Sequence, residues 1–211
     1  MELSWNMFLA LNSMIDGEPV KGIKFNKVES SDEDDLVNET IREMINCGIA
    51  EESGKLTLVG VFLKKAIEDF KTSDNIIFIN RMRIGNVTGE ICPTITPTYE
   101  SMKLKTVDVR YINKKAAFLE LLECYPILKK GHLSNGKKTL SIEDIAHKVE
   151  KRTNKELIMV ARESNEKNEN YICLINDEYI EKIDVYKKTI EEVGGGDIRY
   201  QIACLLGLVW L

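Results

Sequence analysis

The chain has 211 residues, of which 44% are hydrophobic and 30% charged, and its formal net charge is −5. That length allows one large domain or two small ones, and the composition excludes a disordered, collagen-like or membrane-bundle protein. No apolar run approaches the ~20 residues of a spanning helix, and the negative charge gives no bulk attraction to nucleic acid or an anionic membrane.

The first residues carry Glu2, no basic start and no small-residue cleavage site, so they read as mature protein and imply a cytosolic location. Residues 2–15 are expected to form a helix that is apolar nearly all round, through Leu3, Trp5, Phe8, Leu11 and Ile15, which needs burial or a covering partner. The acidic run Ser30–Asp35 reads as a helix start, with Ser31 as N-cap and the acids on the positive dipole end. Leu36, Val37, Thr40, Ile41, Met44 and Ile45 then recur at the spacing of one buried helix face, and Gly48 stops that helix. A second helix at about 57–71 presents Val59, Phe62, Leu63, Ala66, Ile67 and Phe70.

Three strands are expected next. Ile76–Ile79 is an unbroken apolar run, as in a strand covered on both faces. Residues 90–99 carry Pro93 and Pro97, which places them at a sheet edge. Residues 103–112 alternate, with Val107, Val109 and Tyr111 on one face. Helices follow at about 115–125 and at 142–152, the latter capped by Ser141 with Asp144 three residues on. Strands follow at Glu156–Arg162, Tyr171–Asn176 and Tyr179–Val185, with Phe78 and Met159 expected in the core. Gly194–Gly196 reads as a flexible hinge before a last helix that Asp197 can cap. Each half thus reads helix–helix–strand–strand–strand. The expected fold is a single α+β domain over residues 1–211, with a central antiparallel sheet flanked by helices and pseudo-halves of about 1–113 and 114–211.

The motifs of catalysis are missing from this pattern. There is no glycine-rich phosphate loop, no nucleophile elbow and no assignable acid–base pair. The two histidines, His132 and His147, lie 15 apart outside any metal-binding motif. The five cysteines are odd in number, lack a CxxC and sit among apolar neighbours, as buried free thiols do. The reading is a non-enzyme that uses no cofactor and no metal. The loop Lys129–Thr139 holds five basic residues, His132 among them, but no aromatics for stacking bases. The C-terminal stretch Ile198–Leu211 is mostly apolar yet too short to span a membrane. Ile202, Leu205, Leu206 and Val209 are expected inward. The tip Leu208, Val209, Trp210 and Leu211 is the candidate partner-binding patch, for a partner helix or a homodimer mate.

The stretch LVNETIREMINCGIAEESGKLTLVGVFLKKAIEDF, Leu36–Phe70, joins two amphipathic helices through Cys47-Gly48-Ile49, an acidic turn and Gly54. With the apolar N-terminal helix before it, it resembles the N-terminal region of the EspG-like chaperones of type VII secretion systems. The resemblance covers about the first 70 residues, and beyond them only the element order. It implies a cytosolic, non-catalytic chaperone or adaptor that binds a helical secreted protein and keeps it soluble. The same stretch also resembles a winged helix, and the alternative is a transcriptional regulator. A DNA reader needs basic residues on its recognition helix. The first helix offers only Arg42 among six acids, which weighs against nucleic acid as a partner.

Overall fold

The computed structural model describes residues 1–23, 33–85, 89–101, 103–131, 136–153, 155–164 and 168–208, with the backbone alone at Glu33. In chain order the first elements are β1 (Glu2–Ser4), α1 (Trp5–Ser13), α2 (Glu33–Asn46), α3 (Leu58–Lys71), β2 (Asn75–Ile79), β3 (Met82–Gly85), β4 (Ile91–Glu100) and β5 (Lys103–Asn113). They are followed by α4 (Lys114–Cys124), a 3-10 turn (Pro126–Lys129), β6 (Lys138–Thr139), α5 (Ile142–Glu150), β7 (Leu157–Ser164), β8 (Glu169–Ile175), β9 (Ile180–Asp184), β10 (Thr189–Val193) and α6 (Gly195–Leu205). The fold is α+β, with antiparallel sheet structure flanked by helices. The chain divides into two compact units. One comprises Met1–Ser73, Arg81–Asn86 and Pro93–Tyr111; the other comprises Asp74–Asn80, Val87–Cys92 and Ile112–Leu211.

In the first unit the strand order is β1-β5-β4-β3. The expected helix over 2–15 is split. Ser4 is an N-cap, its hydroxyl accepting the Met7 N–H at 3.3 Å, so the helix cannot extend back past it. The extended residues before the cap pair with β5, Leu3 opposite Val107. Strand β4 is not an edge strand, because β5 lies on one side of it and β3 on the other. Its prolines are four residues apart, so their missing N–H groups fall on one flank. The pairing with β3, Arg83 opposite Ile95 and Ile84 opposite Thr94, runs between them. Helix α3 starts at Thr57, whose side chain accepts the Gly60 N–H at 3.2 Å and donates to the Gly48 carbonyl at 2.6 Å. Gly48 holds φ +69°, the left-handed turn a helix-ending glycine supplies at no steric cost. The core collects Leu3, Phe8, Leu11, Ile49, Leu63, Ile67 and Phe70. The N-cap expected at Ser31 lies outside the described residues.

In the second unit the order is β2-β7-β8-β9-β10-β6, and the unbroken apolar runs of β7 and β8 are internal strands as their composition implies. β2 pairs with β7, Phe78 opposite Ala161. Successive residues of β8 serve opposite faces. Leu174 joins Ile183 and Ile190 in a cluster covered by Ile145 and Val149 of α5. On the other face lie Tyr171 and Cys173. The capping box of α5 forms as read, Ser141 accepting the Asp144 N–H at 3.0 Å and the Asp144 carboxylate reaching back to the Ser141 N–H at 3.2 Å. Met159 is 42% exposed rather than in the core, since in β7 it faces opposite to buried Ile158 and Val160. Gly194–Gly196 is no hinge. All three glycines are buried at the start of α6, and a Cβ on Gly195 would stand 1.7 Å from the Ile127 carbonyl oxygen.

Candidate functional site

The apolar positions of α2 are only half covered. Thr40 and Met44 are buried, as the periodicity implies, but Val37 is 56% and Ile41 42% exposed. These side chains form one wall of a groove of about 400 Å³ in the first unit. The other wall is α1, which turns Met7, Phe8 and Leu11 into the core and Leu9, Ala10, Ser13 and Met14 toward the groove. Asn6, Leu9, Ala10 and Ser13 follow the i, i+3, i+4, i+7 spacing of one helix face. The small side chains of Ala10 and Ser13 leave room between the two helices.

The hydroxyls that line the groove are committed to backbone carbonyls. Thr40 donates to the Leu36 carbonyl at 2.8 Å and Ser13 to the Ala10 carbonyl at 2.8 Å. Among the described residues that line the groove, only Asn6 brings an uncommitted polar group, and none is charged. This is a surface for an apolar occupant. A further apolar stripe lies on the outside of α3, where Leu58 is 89%, Val61 52% and Phe62 53% exposed. Phe62 meets the Tyr111 ring edge-on at 5.0 Å. The Tyr111 hydroxyl donates to Asp69 at 2.6 Å, and burial together with that carboxylate pushes its pKa up.

The second unit holds a different cleft, of about 590 Å³, between the Tyr171 face of the sheet and the later turns of α6. It contains Arg162, Lys182, Lys187, Asp184 and the rings of Tyr171, Tyr186 and Tyr200. Its cations are already engaged. Lys182 lies 3.4 Å from Glu191 and 5.0 Å from the Tyr171 ring centroid, Lys187 pairs with Asp184 at 3.0 Å, and Arg162 donates to Asn75 at 3.1 Å. The Tyr171 hydroxyl is buried without a hydrogen-bond partner, and burial raises its pKa. Nearby Cys173 is wholly buried, its thiol pushed up to about 12, which keeps it protonated and inert. The arrangement supplies neither an activated nucleophile nor a poised acid–base pair. Among the described residues no group of three His, Cys, Asp or Glu side chains is placed to hold a metal ion.

The tip of the chain is placed only in part. Leu208 is 4% exposed and its N–H donates to the Ala203 carbonyl at 2.7 Å, so it belongs to the core and not to an exposed patch. Ile202, Leu205 and Leu206 are buried as expected. Val209, Trp210 and Leu211 lie outside the described residues, as does His132 of the basic loop. In that loop Lys137 pairs with Glu191 at 3.4 Å and Lys130 donates to the Asp177 carbonyl at 2.6 Å. The groove residues Val37 and Ile41 were legible as apolar but were expected to be covered. The available signal was an excess of apolar faces, on all sides of α1 and along α2. No family model matches the chain, and no curated protein matches it. No helix of the described residues is long and apolar enough to cross a membrane.

Proposed function

We propose that the protein is a non-catalytic chaperone or adaptor that holds an apolar helix of a client protein in the groove between α1 and α2. The observation that carries this reading is the groove itself. Val37, Ile41 and Met14 are exposed side by side, and the neighbouring hydroxyls are satisfied within their own helices. A helix laid into an apolar groove by an i, i+3/i+4, i+7 stripe is a common mode of protein recognition. The resemblance of Leu36–Phe70 to the EspG-like chaperones gives the client its class, a helical secreted protein of a type VII secretion system met in the cytosol. The outward face of α3 favours this over a winged-helix regulator: Leu58, Val61 and Phe62 are exposed where a DNA reader needs Lys and Arg.

The test is co-expression with helical secreted proteins encoded beside its gene. A soluble complex should form and should be lost when Val37 and Ile41 are both changed to Glu, with the melting temperature of the free protein unchanged. A complex that survives both changes, or turnover in a substrate screen, overturns the proposal.

A further inference from the structure

The described lining of the groove is uncharged, but its border is not. Helix α1 carries no charged residue from Trp5 to Ser13, whereas α2 carries Glu33, Asp34, Asp35, Glu39 and Glu43 against the single base Arg42. Two of these acids border the groove by helical spacing. Asp34 stands three and seven residues before Val37 and Ile41, at the end of their stripe. Glu43 follows Thr40 by three, on the opposite border. It accepts a hydrogen bond from the Ser4 hydroxyl at 2.7 Å. Among the described residues none of Asp34, Asp35, Glu39 and Glu43 forms a salt bridge.

Resting on the reading of the groove as a helix-binding site, we infer that its occupant is an amphipathic helix whose apolar stripe is flanked by lysine or arginine. Uncompensated acids beside an apolar surface favour a partner of opposite charge, which both speeds encounter and fixes register. They also disfavour the simplest alternative occupant, a second copy of this chain. That copy brings the same acidic α2 and the same net charge of −5, so like charges would meet at the rim.

The test uses the full-length protein and two fluorescent synthetic helical peptides with one apolar stripe in common, one flanked by Lys and the other by Glu. Anisotropy titrations at low salt should show the Lys peptide binding roughly ten-fold tighter, the effect of two or three exposed charge pairs. The advantage should shrink at about 1 M salt, where the Debye length falls to ~3 Å. The isosteric pair Asp34→Asn and Glu43→Gln, which keeps the acceptor for Ser4, should erase the preference, and Asp34→Lys, which changes the rim by the same two charges, should erase it as well. Ile41→Ser should weaken both peptides. Equal binding of the two peptides by the unaltered protein, or a preference that survives the isosteric pair, overturns the charge inference and leaves the groove reading standing. Binding of neither peptide overturns both. A dimer in sedimentation that Ile41→Glu dissolves identifies a second copy as the occupant and likewise overturns the inference.

Discussion

Lys71 shows how one side chain fixes a helix end. It is the last residue of α3, and its side chain is only 9% exposed. Its ammonium group donates to Asn12 Oδ1 at 3.0 Å, to the Glu18 carbonyl at 2.7 Å and to Asp16. Asn12 is itself 1% exposed, so Lys71→Met leaves a buried acceptor unsatisfied and should cost about 1–3 kcal/mol in urea denaturation. The hydrogen bond from Lys71 holds the Asp16 carboxylate below its ordinary pKa. A depressed folded value stabilises above the unfolded value of ~3.9, and that contribution is lost as pH falls through the folded value. The acid limb of the stability profile should therefore be shallower in Lys71→Met than in the parent. An unchanged limb would show that this contact carries no acid-linked stability. The cysteines divide in the same residue-by-residue way. All five read as buried from their apolar neighbours, yet Cys47 and Cys124 are exposed while Cys92 and Cys173 are buried. Alkylation of the folded protein at about pH 8 should modify Cys47 and Cys124 and spare Cys92 and Cys173 until denaturant is added, as read by mass spectrometry.

The start of α6 is the element whose sequence misleads most. Three successive glycines suggest freedom, because glycine tolerates every backbone region. Here they serve close approach instead. Gly195 lies against the backbone of the 3-10 turn, the Gly196 N–H donates to the Gly131 carbonyl at 3.1 Å, and Asp197 accepts from the Gly194 N–H at 3.0 Å. Gly195→Ala forces backbone apart from backbone and should cost about 1–3 kcal/mol or more. Gly136→Ala, where a Cβ meets nothing within 4 Å, should stay within about 0.5 kcal/mol. Equal melting temperatures for the two variants would refute the packing role. The contrast explains what else was legible. Caps with a local chemical signature, Ser141 with Asp144 and Gly48 after α2, could be read because their partners lie within a few residues. Apolar runs long enough to be internal strands, Leu157–Ala161 and Tyr171–Ile175, could be read as well. Strands β1, β3 and β10 were not, being short or charged, with Glu191 and Glu192 inside Thr189–Val193, and existing because a partner strand supplies their hydrogen bonds. Pro93 and Pro97 pointed to an edge because sequence shows the lost N–H groups and not the short partner that passes between them.

At the scale of the whole molecule, the question is which apolar surface the fold keeps and which it leaves to a partner. Helix α2 contains both kinds within eight residues. Met44 is 2% exposed and Ile41 is 42% exposed, and both line the same groove. If the groove is an unfinished part of the core, removing apolar area at either position should destabilise the protein. If it is a docking surface, only the buried residue should matter to folding. Met44→Ala should then cost about 2–5 kcal/mol, the range for truncating a packed core side chain. Ile41→Ser and Val37→Ser should each change stability by no more than about 0.5 kcal/mol, because substitutions at exposed positions away from packing features have small effects. The same two changes should nonetheless weaken client binding, since the apolar area they remove is buried only in the complex. Chemical denaturation of the three variants, beside a binding titration with the client helix, separates the cases. Loss of several kcal/mol at Val37 or Ile41 would return the groove to the core, and unchanged affinity would move the docking surface elsewhere, the exposed Leu58, Val61 and Phe62 of α3 being the next place to look.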